Sequence, residues 1–339
     1  MKRPLTVLTT LTAMLGLAAC GEKTDVVNPP SGSAHPFSLM LDYYPNADHV
    51  GLYEAMADGA FKQADLAVHV QAPSDPAEPL KLLAAGKIDA AISYEPEVFL
   101  ARTQDVPLVA VAAIVQKPLT SIISVGSKHI TSPADLRGKS IGTAGIPYQS
   151  AYLSTILQNA GVPQRSVKQV NVGFNLVPAM LSGRVDATLG GYWNYEGLEL
   201  AQERRHPNVI PVNQAGVPTY DELVVVVRKN EIVNHASLIR RFVQALGRGY
   251  EAVRANPVAA VKTLVKANPT LNYKLQLASV RAVLPDFFPT NGKPWGWQSI
   301  PAWNAFGNWM LTHNLITNPD NTVINEAADN ELLAGQGLA

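Results

Sequence analysis

One cysteine, Cys20, stands in 339 residues, so no intrachain disulfide can form. Charge is sparse as well. Only 16% of residues are charged, and 27 Lys and Arg balance 27 Asp and Glu. There is no basic stripe, so nucleic acid is not an expected partner. Past the N-terminus no apolar run is long enough to span a bilayer. No Gly-x-Ser-x-Gly elbow, His-Glu-x-x-His zinc motif or Walker loop is read from the chain. His49 has no partner at metal-ligand spacing. These absences leave no catalyst, no metal site and no cofactor in the expectation.

What is present begins with a targeting segment. Lys2 and Arg3 precede an apolar stretch over 5–17, of secretory length and too short for a membrane span. It runs into Leu17-Ala18-Ala19-Cys20, which resembles the bacterial lipobox. The sole cysteine falls on the position that is lipidated after cleavage. Residues 1–19 are therefore read as a lipoprotein signal peptide and 20–35 as a lipidated, flexible tether. The protein is expected to be exported, held to a membrane by lipid at Cys20, and to face the periplasm or the cell exterior. Of the 27 basic residues, loss of Lys2 and Arg3 leaves 25 against 27 acidic ones.

The remaining chain, about 300 residues, is long enough to split into lobes. Strand and helix signals alternate, as in parallel sheets flanked by helices. One phrase occurs twice. Gly86-Lys87-Ile88-Asp89-Ala90 follows a helical run, and so does Gly183-Arg184-Val185-Asp186-Ala187. Each reads as a helix stop, a charged turn and a short strand. Gly-x-x-Asp-Ala is also a common helix-to-strand turn. The repeat spacing and a restart of the rhythm near residue 125 divide the chain. Residues 36–122 plus 226–339 form lobe one, and 123–225 form lobe two. Strands near 121–125 and 223–227 make the crossovers, and two crossovers make a hinge. The β-branched run 223–227 reads as a buried strand.

Ligands bind beyond the carboxyl ends of strands in such sheets. Four strand ends carry candidates. After strand one come Asp42, Tyr43, Tyr44 and Asn46, with Asp48 placed to cap the next helix. Tyr94 and Glu95 follow the first copy of the repeat. Tyr148 lies in a strand-to-helix turn. Tyr192-Trp193-Asn194-Tyr195-Glu196 follows the second copy. Flat rings with an amide and a carboxylate suit a planar, polar heterocycle. Trp295, Trp297, Trp303 and Trp309 are read as packing between terminal helices.

Leu41 to Asn46, Gly51-Leu52-Tyr53, the 132–139 stretch and Tyr192 to Glu196 together resemble the ThiY-like family. Its members are substrate-binding proteins of ABC importers for thiamine pyrimidine precursors. The resemblance implies the type II periplasmic-binding-protein fold: two α/β lobes, two crossover strands and a cleft between. It implies formylaminopyrimidine or hydroxymethylpyrimidine as ligand, and permease and ATPase subunits as partners of a monomer. By motif position it puts Asp42, Tyr43 and Asn46 on one wall and Trp193, Tyr195 and Glu196 on the other. Tyr43 and Tyr44 stand where family members often have Trp. Riboflavin, or a sulfonate such as taurine, is the alternative ligand. The thiamine pyrimidine synthase of yeast also resembles this chain, but its cysteine-rich motif has no counterpart here.

Overall fold

The computed structural model describes residues 34–290, 292–317 and 321–336. The signal segment, Cys20 and the tether as far as residue 33 lie outside them.

The first stretch runs β1 (His35–Met40), α1 (Val50–Ala57), α2 (Ala60–Gln63), β2 (Leu66–Gln71), α3 (Glu78–Ala84), β3 (Ala90–Ser93), α4 (Glu95–Thr103) and β4 (Leu108–Val115). The second runs β5 (Thr120–Ser124), β6 (Ser140–Thr143), α5 (Pro147–Asn159), β7 (Lys168–Asn171), α6 (Leu176–Leu181), β8 (Ala187–Tyr192), α7 (Glu196–Gln202) and β9 (Asn208–Pro211). The last runs β10 (Leu223–Arg228), α8 (Lys229–Asn234), α9 (Ala236–Ala255), α10 (Pro257–Ala267), α11 (Tyr273–Val283), α12 (Ile300–Thr312) and α13 (Thr322–Asn325). Pro257 separates α9 from α10 because its ring cannot continue a helix and suits a first position.

Two five-stranded sheets result, ordered β2-β1-β3-β10-β4 and β7-β6-β8-β5-β9. They are copies of one plan. In each, three strands run parallel and one strand is antiparallel to both its neighbours, β10 in the first and β5 in the second. This is the two-lobe type II architecture. The chain passes between sheets just before each of those antiparallel strands, over 116–119 and 212–222. β10 sits inside its sheet, which is why Leu223 to Val227 is apolar on both faces and fully buried. The C-terminal helices return to the first sheet, where Trp295 stacks on Tyr250 and Trp303 is buried.

The repeated phrase occupies matching places, leading into β3 and β8. Gly86 and Gly183 take φ of 67° and 73°, where a side chain would be strained. Asp89 Oδ2 accepts from the Ser38 backbone N–H and hydroxyl, both at 2.7 Å. Asp186 Oδ2 accepts the same pair of bonds from Ser140, at 2.9 and 2.8 Å. The aspartates thus pin neighbouring strands and take no part in a site. Residues 138–142 do spell Gly-x-Ser-x-Gly, against the reading above. Ser140 opens β6 and its hydroxyl is bound to Asp186, so this is no nucleophile elbow.

Candidate functional site

The carboxyl ends of β1, β3, β6, β7 and β8 converge on one cavity. The first sheet contributes Asp42, Tyr43, Asn46 and Tyr94. The second contributes Ala144, Ile146, Tyr148, Gln149, Phe174, Leu176, Gly190, Tyr192, Tyr195 and Glu196.

Asp42 is held by its own wall. Its Oδ2 accepts from the Tyr94 hydroxyl at 2.9 Å, and its Oδ1 lies 2.8 Å from His49 Nε2. His49 Nδ1 accepts from the Asn46 backbone N–H at 3.2 Å. That leaves the ring proton on Nε2, where it donates to Asp42. His49 therefore orients Asp42 and holds no metal. Asn46, rather than Asp48, supplies the cap: its Oδ1 accepts from the Asp48 backbone N–H at 2.8 Å. Its amide NH₂ is left for the cavity.

Glu196 faces this wall from the first turn of α7. Its Oε2 accepts from the Tyr192 backbone N–H at 2.7 Å, and its own backbone N–H also supports the carboxylate. Burial pushes its carboxyl up to about 7, partly offset by the Tyr192 N–H. Behind the walls, burial also raises Glu97 to about 7 and raises Glu222. Among the described residues no Lys or Arg lines the cavity. With carboxyl groups in its wall and no facing cation, the cavity suits hydrogen-bond donors and cations rather than anions.

Aromatic rings close the space. The Tyr43 hydroxyl crosses the cleft and donates to the Phe174 carbonyl at 3.1 Å. The two rings meet edge to face at 4.7 Å. Tyr94 and Tyr148 meet the same way at 5.8 Å. Gly190 is required by close approach. A Cβ there would lie 2.4 Å from Gln149 Nε2, and its φ of 121° already excludes most side chains.

Thus Asp42, Tyr43, Asn46, Tyr94, Tyr148, Tyr192, Tyr195 and Glu196 come together around the cavity. Four candidates do not line it. Tyr44 is 50% exposed and packs outside, against Tyr43 and Phe174. Glu95 points to the crossing, where its Oε2 accepts from the Asp221 backbone N–H at 2.7 Å. Trp193 clasps the other crossing, its Nε1 donating to the Pro118 carbonyl at 3.2 Å. Asn194 is buried between the lobes, bonded to Asp48.

Sequence reading missed Gln149, Phe174 and Glu222. Phe174 was open to the same strand-end rule, since it follows β7. Glu222 had no local signal. It joins the crossings, accepting from the Leu119 and Thr120 backbone N–H groups at 2.7 and 2.8 Å, and from the Thr120 and Tyr220 hydroxyls.

The profile of the NMT1/THI5-like family matches residues 46–260. A formylaminopyrimidine-binding protein of Halalkalibacterium halodurans is 33% identical, over 92% of this chain and 95% of its own. A 4-amino-5-hydroxymethyl-2-methylpyrimidine phosphate synthase of Saccharomyces cerevisiae is 24% identical, over 72% and 74%. Among solved structures, the alkanesulfonate-binding protein SsuA of Xanthomonas axonopodis, bound to MOPS, superposes with a TM-score of 0.68. That match covers 88% of this chain and 99% of the other at 15% identity, a likeness of fold.

Proposed function

The chain belongs to the NMT1/THI5-like family, and on that premise we propose that it is the substrate-binding lipoprotein of an ABC importer, capturing a thiamine pyrimidine precursor. The observation that carries this is the buried Glu196 carboxyl in a cavity where no Lys or Arg is found among the described lining residues. An aminopyrimidine presents an exocyclic amine beside a ring nitrogen. One carboxyl group meets both, accepting from the amine and sharing a proton with the ring nitrogen. Asp42 and the Asn46 amide offer further polar contacts, and Tyr43, Tyr148, Tyr192 and Tyr195 the aromatic walls. A sulfonate would meet carboxylates and no cation. The relative named for binding formylaminopyrimidine supports the reading at 33% identity. The family also contains synthases, but this chain is read as a binder. Its only cysteine is Cys20, at the lipidation position.

The protein is exported and held by lipid at Cys20, with permease and ATPase subunits as partners. Lobe one is read as 36–122 plus 226–339 and lobe two as 123–225, although β5 and β10 each begin three residues before those bounds.

Thermal shift with four ligands tests the reading. A ligand bound only by the folded protein adds about 2.7 kcal/mol at a hundredfold excess over Kd. Formylaminopyrimidine or hydroxymethylpyrimidine is expected to raise Tm. A rise with taurine alone would transfer the protein to the sulfonate binders, and a rise with riboflavin alone to the flavin binders.

A further inference from the structure

We infer that Asp48 and Asn194 form a carboxylic acid–amide pair across the two lobes, and that this pair sets how readily the cleft closes without touching the ligand. The inference rests on the two-lobe binding reading above.

Asp48 lies in the turn after β1, and Asn194 in the loop between β8 and α7. Neither lines the cavity. Asn194 Nδ2 donates to Asp48 Oδ1 at 2.7 Å and to Ser279 Oγ of α11 at 3.2 Å. All three residues are 0% exposed. The Asp48 backbone carbonyl accepts from the Tyr250 hydroxyl at 2.7 Å, which fixes its side of the contact to α9. Each partner also lies beside cavity residues, Asn46 on one side and Tyr195 and Glu196 on the other. Forming the pair therefore brings the two walls to their closed spacing.

One atom is left over on each side. Asp48 Oδ2 and Asn194 Oδ1 are buried acceptors without a partner. A charged carboxylate facing an amide oxygen leaves both unsatisfied, which is costly in the interior. A proton on Asp48 Oδ2 removes the problem. The acid O–H donates to Asn194 Oδ1 while Asn194 N–H donates back to Asp48 Oδ1, and the ring of two bonds is complete.

The surroundings favour that proton. Asp42, Glu196 and Glu222 all disfavour a further negative charge at Asp48. Asp42 is already engaged with His49. Tyr195 and Tyr250 are the nearby hydroxyls. The charged residues of α11, Lys274 and Arg281, are exposed. Burial raises the Asp48 carboxyl to about 8. In an open cleft the carboxyl is hydrated and titrates in the ordinary range. Closing therefore takes up a proton. The closed form is favoured at low pH, loses ground as pH rises above the ordinary carboxylate range, and levels off above about 8. Glu196 adds to the same trend, so variants must isolate Asp48.

Small-angle scattering of ligand-free protein between about pH 5 and about pH 9 tests the pair. Wild type is expected to expand as pH rises. Asp48→Asn keeps a two-bond ring, since two amides also pair, but needs no proton. It should stay compact over more of the range. Asn194→Ala should be extended throughout, with about tenfold weaker ligand binding at neutral pH. Asp48→Asn should bind within about threefold of wild type. The same pH response in Asp48→Asn as in wild type would overturn the inference, as would a compact Asn194→Ala. If Asn194→Ala does not fold by circular dichroism, Asp48→Asn decides alone. A wild type that opens with pH but binds no pyrimidine would defeat the ligand reading and leave the pair standing.

Discussion

Burial raises the Glu196 carboxyl to about 7, above its ordinary value of 4.5. A raised carboxyl contributes most stability when protonated and loses it as pH rises through the folded-state value. Wild type therefore carries a buried charge at about pH 8 that it does not carry at about pH 4. Glu196→Gln keeps the acceptor for the Tyr192 N–H and removes that charge. We predict that it is more stable than wild type at about pH 8, by about 3 kcal/mol at most and read as a higher Tm, with no gain at about pH 4. We predict that the same variant binds the pyrimidine about tenfold to a hundredfold more weakly, because a charge-assisted bond is lost. Titration calorimetry in two buffers of different ionisation enthalpy reads the second effect. Wild-type affinity in Glu196→Gln, with no buffer-dependent heat, would remove Glu196 from the site. Trp193 is a different case. Its ring packs at a crossing, so Trp193→Phe should lose the bond to Pro118, about 1 kcal/mol of stability, and change affinity less than threefold. A larger loss of affinity with unchanged Tm would put Trp193 against the ligand.

The elements that carry the site are the ends of strands, and their places follow from one plan used twice. The repeated Gly-x-x-Asp phrase leads into β3 and β8, and the aspartates pin β1 and β6 through Ser38 and Ser140. That pinning sets where each strand ends, and so where Tyr94 and Tyr192 are delivered. The crossings need a separate device. Glu222, from the second crossing, satisfies two backbone N–H groups of the first. Glu222→Ala leaves Leu119 and Thr120 N–H without that acceptor, at a cost of about 1–3 kcal/mol each. We predict a Tm lower by several degrees and a broadened closing transition, measured by calorimetry and by scattering with and without ligand. An unchanged Tm would show that the crossings do not depend on Glu222.

Across the whole molecule, near-neutral net charge hides an uneven distribution. Carboxyl groups gather about the cleft, while among the described residues no Lys or Arg lines it. Among the described residues no helix is long and apolar enough to cross a membrane. Attachment would then rest on the lipid at Cys20, outside the described residues. Cys20→Ala is predicted to move the protein from the membrane fraction to the soluble one, and to abolish incorporation of labelled palmitate. A variant that stays with the membrane, beside an unlabelled wild type, would end the lipoprotein reading.

Local order was open to sequence because it depends on local causes. Period, caps and glycine stops announced the alternation of strands and helices and the restart of that rhythm near residue 125. The β-branched run 223–227 announced a strand buried on both faces, and strand ends announced most of the cavity. Short elements escaped: β9 is four residues closed by Pro211, and α7 begins inside the aromatic cluster, so neither has a pattern long enough to read. Orientation was decided by tertiary structure alone. Five successive residues, Tyr192 to Glu196, divide among the cavity, a crossing and a contact between lobes. Nothing in their order distinguishes those directions. They differ because groups distant in the chain, Pro118, Asp48 and Ser279, offer hydrogen bonds only once both sheets have formed and the lobes have met.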